Sequence, residues 1–241
     1  MKIAVLGAGA LGCAMGSCLS ESGHEVWLIN RREDHVETMN TLGLCVQVNG
    51  SERYTPVKAA LHASHVAVQN GLGHEDVLAE VVGRDKVMAG KTYAGGVMLG
   101  PGRIICGTEG KETYIGELEG RMTDRVQRVA AAFNAAGLIT HISDNIMGTI
   151  WEKLLVNVAT GALSGITRLA YGDLYQVPEV KACALAAVQE AMDVARACGI
   201  GLSVNDPEQP WLKAAAGLPP EFKASMLQSL EKGSITEVDY V

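Results

Sequence analysis

Lys153 and Asn157 stand four residues apart inside "WEKLLVNVATGALS" (151–164), a run otherwise dominated by Leu154, Leu155, Val156, Val158, Ala162 and Leu163. A helix turns by about 100° per residue, so Lys153, Asn157, Thr160 and Ser164 share an arc of roughly 60°. A greasy helix with one thin polar stripe headed by a lysine calls for an explanation. Hydride delivery to a carbonyl leaves an alkoxide that needs a proton donor. A lysine partly withdrawn from water can serve, because burial disfavours its charged form and lowers its pKa. An asparagine one turn further along can hydrogen-bond either the substrate or the lysine. A stripe at the start of a second domain could face a cleft toward a nicotinamide. A snorkelling lysine on a solvated strip reads equally well from these residues.

A second set of residues could supply the hydride carrier's seat. Gly7, Gly9 and Gly12 form G-x-G-x-x-G after an apolar run, "KIAVL", and before a small-residue helix. The first glycine permits a tight turn, the second lets backbone approach a pyrophosphate, and the third lets helix and strand pack closely. The loop Gly7, Ala8, Gly9, Ala10, Leu11 and Gly12 is therefore the expected cofactor cradle, with helix N–H groups turned to the phosphates. The second strand ends Ile29-Asn30-Arg31-Arg32 rather than in an acid. Arginine there suits a ribose 2′-phosphate, so NADPH/NADP is the expected cofactor and Arg31 its lead contact. The competing reading is a solvated basic loop. Asn70 ends the run "HVAVQNG", where ligands collect at carboxyl ends of strands, although Asn before Gly is also a turn former.

These residues need elements to hold them. Strands are expected at Lys2–Leu6 and Glu25–Asn30 around a helix from Ala10 to Ser22 that ends at Gly23. "LCVQVNGSERYTPV" (44–57) reads as a hairpin about Asn49-Gly50. "HVAVQNGLG" (65–73) reads as a strand, followed by a helix from Glu75 to Val82 and a strand in "KVMAGKTYAG". "GRIICGTEGKETYIGEL" (102–118) reads as a second hairpin. A helix over 124–136 and a short strand over 138–142 complete residues 1–143 as an α/β, Rossmann-type dinucleotide-binding domain. Residues 144–241 read as an all-α domain. Its helices start near Asn145, run from Pro178 to Cys198, and open at Asp206-Pro207 and Pro219-Pro220. Only "KAALHAS" lies between Val57 and His65, too short for a crossover helix plus another strand. Either a βα unit has been lost near 58–65 or residues are missing from the chain as written. Missing residues, and with them a break between Val57 and His65, are the expectation.

The chain has 241 residues, 48% of them hydrophobic, and a formal net charge of −7. That acidic balance excludes a general nucleic-acid binder. No apolar run reaches the ~18 residues that span a bilayer, and the start lacks the apolar stretch of a signal peptide. Six scattered cysteines without a C-x-x-C pair read as reduced thiols of a cytoplasmic protein. The six histidines show no metal-ligand spacing.

"MKIAVLGAGALG", "QNGLG" (69–73), "WEKLLVN" (151–157) and "SITEVDYV" (234–241), in that order, resemble the ketopantoate reductase family across essentially the whole chain. The resemblance implies a Rossmann domain followed by a helical domain, with the site between them. It implies NADPH-dependent reduction of ketopantoate to pantoate on the route to pantothenate. It places the general acid on Lys153, its helix-mate on Asn157, and a nicotinamide-side asparagine on Asn70. It places substrate contacts on Ser225 and Glu237, although Ser225 also reads as an ordinary helix serine and Ser234-to-Glu237 as a capping box. The expected partner is a small 2-keto acid, with a homodimer as an option. Three features depart from the family. Its "VKA" lysine is not carried onto Lys58, because "RYTP" precedes it. A second asparagine common two turns beyond the lysine is Gly161 here, which leaves room for another 2-keto or hydroxy acid of the same architecture. Members usually continue past "DYV" into a longer helix, so further residues are expected beyond Val241. A non-catalytic NADPH sensor ranks last, because the lysine is present.

Overall fold

A computed structural model describes residues 1–61, 79–80, 83–233 and 236. Backbone contacts divide the chain into two compact units, one ending at Ile146 and one running from Met147.

In the first unit β1 (Lys2–Leu6) leads into α1 (Ala10–Glu21) and then β2 (Glu25–Ile29). β1 and β2 pair in parallel, Lys2 opposite Glu25 and Leu6 opposite Ile29. The buried face of α1 is made of small residues, Cys13, Ala14, Gly16 and Ser17. A Cβ on Gly16 would come within 2.5 Å of Leu28 Cδ2. Small side chains let the helix sit down on the strand, which is the basis of close βα packing. Gly23 takes φ +87° just past α1, a conformation that glycine adopts without a steric penalty.

After α2 (Glu33–Leu42), β3 (Leu44–Val48) and β4 (Ser51–Thr55) form the expected hairpin, with Val48 opposite Ser51. Asn49 and Gly50 both have positive φ, +49° and +81°, as a tight two-residue turn of this kind requires. The chain then runs on from Val57 into a strand that the sequence reading did not foresee, β5 (Lys58–Ala60). It pairs in parallel with β2, Ala60 opposite Ile29. The path from β2 through α2 and the hairpin already supplies a long crossover, so no further helix is needed before it. Residues 62–65, where the break is expected, lie outside the described residues, as do the expected strand at 65–73 and most of the expected helix at 75–82.

The strand expected in "KVMAGKTYAG" is β6 (Met88–Thr92). The second expected hairpin is not formed. β8 (Arg103–Gly107) turns back on β7 (Gly95–Gly100), and also pairs in parallel with β3. β9 (Thr113–Glu117) instead pairs with β6 and with β10 (Thr140–Ile142). Pro101 and Gly102, the latter at φ +65°, make the tight connection between β7 and β8. The longer stretch from Thr108 to Glu112 imposes no such reversal. α1 also lies against β7: a Cβ on Gly96 would meet the Ala10 carbonyl oxygen at 3.0 Å. The main core thus joins α1, the parallel strands and the β3–β8 sheet through Cys13, Leu19, Leu28, Met39, Leu44, Val46 and Ile104. α3 (Asp124–Ala135) begins at Thr123, whose hydroxyl accepts from the Val126 N–H.

The second unit is helical: α4 (Ile146–Thr167), α5 (Tyr171–Leu174), α6 (Pro178–Ala197), α7 (Glu208–Ala215) and α8 (Ser225–Glu231). Its core gathers Leu155, Ala159, Leu174, Ala184, Val188, Met192 and Trp211. Pro178 opens α6 at its first turn, as expected. Pro219-Pro220 does not open a helix; α8 begins only at Ser225. The carbonyls of this segment cap α5 instead: Gly172 N–H donates to Pro220 O at 2.8 Å and Tyr171 N–H to Phe222 O at 2.9 Å. Proline lacks a donor but keeps its acceptor, which suits this use. Among the described residues no helix is long and apolar enough to cross a membrane.

Candidate active site

Gly7 turns the chain out of β1 at φ +90°. The N–H groups of Gly7 and Ala8 both donate to the Ile29 carbonyl at the end of β2, at 3.1 and 2.9 Å. The loop is thereby tied to the carboxyl edge of the parallel sheet. A Cβ on Gly12 would lie 2.5 Å from Gly7 O, a backbone atom, so only glycine fits. A Cβ on Gly9 would meet nothing within 4 Å among the described residues. Gly9 is the N-cap of α1 and offers no capping side chain. The amides of Ala10, Leu11 and Gly12 belong to the first turn and have no intrahelical acceptor. An open, uncapped and positively poled cradle of this kind fits a dinucleotide pyrophosphate.

The loop has a brace that sequence reading missed. The Ala8 carbonyl accepts from Asn30 Nδ2 at 2.8 Å, and lies 3.0 Å from His35 Nε2 and 3.4 Å from Cys13 Sγ. His35 is almost fully buried, and its Nδ1 accepts from the Gly102 N–H at 2.7 Å. That network assigns a neutral ring with its proton on Nε2, donating to Ala8. Burial pushes the Cys13 thiol up to about 12, so it stays protonated. One local sign was present: His35 shares the inward side of "EDHVETMN" with Val36 and Met39.

The two arginines after β2 have different fates. Arg32 is clamped by Asp34, Nε to Oδ1 at 3.2 Å and Nη2 to Oδ2 at 2.6 Å, and its guanidinium holds the Asp34 carboxyl below the usual range. Arg31 is exposed and makes no ion pair among the described residues. Lys58, the letter match to the family's strand lysine, stands at the amino end of β5. Its Nζ donates to Glu25 Oε1 at 2.7 Å and lies over the Trp27 ring. Ligands gather at the opposite, carboxyl end of such strands.

The polar stripe of α4 divides. Thr160 Oγ1 donates to Val156 O at 3.2 Å and lies 3.0 Å from the Tyr171 hydroxyl. Ser164 Oγ donates to Leu169 O at 2.8 Å and is fully buried. These two groups hold α4 to the chain that follows it. Lys153 and Asn157 are half-buried, and the Asn157 side chain makes no hydrogen bond among the described residues. Gly161, one turn beyond Asn157, is buried, yet a Cβ there would meet nothing within 4 Å among the described residues. Ser225 is exposed as the first residue of α8, which packs on α4 where Met226 and Leu230 face Gly165. Asn70 and Glu237 lie outside the described residues. The structure thus brings the glycine loop, Asn30 and Arg31 together in the first unit, and Lys153 and Asn157 together in the second. No cluster of metal-binding side chains is found among the described residues.

Comparison with known proteins follows the same division. The family description "Ketopantoate reductase PanE/ApbA" matches residues 3–68 and 59–120, and "Ketopantoate reductase PanE/ApbA C terminal" matches residues 145–241. The 2-dehydropantoate 2-reductase of Halobacterium salinarum is 31% identical, covering 99% of this chain and 89% of the relative. That of Pyrococcus abyssi is 31% identical, covering 100% and 88%. A PanE/ApbA family ketopantoate reductase from Ralstonia eutropha JMP134 superposes with a TM-score of 0.85 at 31% identity, covering 100% of this chain and 88% of that one. D-mandelate dehydrogenase with NADH and anilino(oxo)acetate superposes with a TM-score of 0.86 at 26% identity, covering 100% and 89%. The match to the Halobacterium protein extends over 272 aligned positions against 241 residues here, so that relative has residues this chain lacks. The two N-terminal family matches overlap at residues 59–68.

Proposed function

The chain belongs to the ketopantoate reductase family, a family of oxidoreductases, and on that footing we propose that it reduces the 2-keto group of 2-dehydropantoate to pantoate with NADPH, a step toward pantothenate. Residues 1–143 would hold the cofactor and residues 144–241 the substrate. The observation that carries the reading is the uncapped glycine cradle at the head of α1, with nothing against Gly9 among the described residues, followed by an exposed Arg31 that makes no ion pair among them.

Bound NADPH supplies the hydride. The first-turn amides of α1 and the loop from Gly7 to Gly12 would hold the pyrophosphate, and Arg31 would take the 2′-phosphate. Lys153 gives its proton to the oxygen that becomes the hydroxyl. Asn157, with its amide uncommitted among the described residues, orients substrate or lysine from one turn away. Asn70, Ser225 and Glu237 are proposed as further substrate contacts from the family resemblance, and Asn70 also as a contact to the nicotinamide.

A second reading changes the substrate. Gly161 is 40° around the helix from Asn157, and among the described residues nothing fills the place where a side chain would stand. D-mandelate dehydrogenase, among the similar structures, holds anilino(oxo)acetate, a 2-keto acid derivative with a planar ring. A 2-keto acid bulkier than ketopantoate would use that space. Loss of absorbance at the nicotinamide band, followed with ketopantoate and with phenylglyoxylate, tests both. Oxidation of NADPH by ketopantoate supports the first reading, and preference for phenylglyoxylate the second. No turnover with any 2-keto acid would overturn the reductase assignment.

A further inference from the structure

Two thiols of the first unit meet outside the cofactor cradle. Cys18 lies on the second half of α1 and Cys106 on β8. Their sulfurs converge on one hydroxyl: Thr108 Oγ1 is 3.6 Å from Cys18 Sγ and 3.2 Å from Cys106 Sγ. The shared Thr108 hydroxyl thus brings the two thiols side by side. Both are half-buried, whereas Cys13 and Cys45 are buried and Cys183 and Cys198 are exposed without such a neighbour among the described residues.

The pair is chemically unequal. The neighbouring Cys18 thiol is the main cause that holds the Cys106 thiol below an ordinary thiol, and the Thr108 hydroxyl, the Thr108 N–H and the Arg53 guanidinium add to it. The neighbouring Cys106 and burial push the Cys18 thiol up. Arg53 is itself held beside the pair by Glu21, at 2.7 and 3.0 Å. A nucleophilic thiolate beside a protonated partner is the arrangement that thiol–disulfide exchange uses.

We propose that Cys18 and Cys106 form a reversible disulfide site, with a small-molecule disulfide such as glutathione disulfide as the oxidant. The Cys106 thiolate attacks one sulfur of that disulfide, the sulfur–sulfur bond breaks, and one glutathione leaves as thiolate and takes up a proton. Cys18 then loses its proton to solvent and attacks Cys106 Sγ. The mixed disulfide breaks, the Cys18–Cys106 bond forms, and the second glutathione leaves. Two protein thiols are oxidised and one disulfide is reduced to two thiols. The new bond would pin α1, the helix that carries the cradle, to the strand packed beside it.

The test is to incubate the folded full-length protein with glutathione disulfide, count its thiols after denaturation and map peptides by mass. Loss of two of the six thiols, a Cys18–Cys106 linked peptide and reversal by dithiothreitol are expected. Cys18→Ser should stop at a single glutathionyl group on Cys106. Cys106→Ser should slow the first step at the pair by at least about tenfold, because only the protonated Cys18 is left there to attack. In the parent, the first step should reach half its maximal rate below the ~8.5 at which an ordinary thiol ionises. That pH profile decides the matter if a serine variant does not fold. Six unreacted thiols, modification confined to Cys183 and Cys198, or a half-maximal rate at the ordinary thiol pKa would overturn the proposal.

Discussion

Replacing Arg31 by alanine should selectively weaken NADPH. The guanidinium is exposed and spends no ion pair among the described residues, so its full set of donors is available to a 2′-phosphate. A hydrogen bond to a charged group contributes about 1.5–3 kcal/mol. Solvent around an exposed side chain favours the lower end of that range, about 1.5 kcal/mol, or roughly a tenfold rise in Kd. A bidentate grip would carry the effect toward 3 kcal/mol, roughly 150-fold. NADH lacks the phosphate, so its affinity should stay near the parent value. Arg32→Ala is the matched control, because that guanidinium is already clamped by Asp34. Calorimetric titration of parent, Arg31→Ala and Arg32→Ala with both nucleotides reads all six affinities. Equal binding of NADPH and NADH by the parent refutes the reasoning. So does a loss in Arg32→Ala as large as in Arg31→Ala.

Lys153→Ala should lower kcat by at least ~10² at saturating NADPH while leaving NADPH affinity near normal, since general acid catalysis typically supplies that much rate. A mutant that keeps more than about a tenth of parent turnover would reduce the lysine to packing. His35→Leu should destabilise the first unit by about 1–3 kcal/mol, because it leaves the buried Gly102 N–H without its acceptor. Urea unfolding checks this, and an unchanged midpoint would show that the brace on Ala8 contributes nothing. Glu117 is buried and held below the usual carboxylate range, first by Arg125 and then by the Thr123 hydroxyl. A carboxyl depressed in the folded state stabilises at pH above its unfolded value, ~4.3, and loses that contribution as pH falls through its lower folded value. The acid limb of stability against pH should therefore flatten in Glu117→Gln, and an unchanged limb would place acid sensitivity elsewhere.

Local geometry was legible in the residues. Gly7, Asn49-Gly50 and Gly23 each needed a positive φ, Pro178 needed a first helical turn, and the small residues of α1 needed a strand close beneath them. Each such demand involves neighbours along the chain and is written in side-chain type. The same holds for the spacing of Lys153 and Asn157, which one turn of helix places on a common face.

What the folded chain decided depends on partners far apart in sequence. β8 chose β7 and β3 rather than β9, because Pro101-Gly102 reverses the chain while Thr108–Glu112 does not. β5 exists because the edge of β2 offers three residues a ladder, although "KAA" carries no strand signal of its own. Adjacent and identical in type, Arg31 and Arg32 were divided only by where Asp34 could reach. Thr160 and Ser164 left the polar stripe once Tyr171 and Leu169 folded back on α4. The Ala8 brace joins residues from three elements through hydrogen bonds that no local pattern encodes. Sequence sets what each backbone segment can adopt; which donors and acceptors meet is settled when burial removes water as the alternative partner.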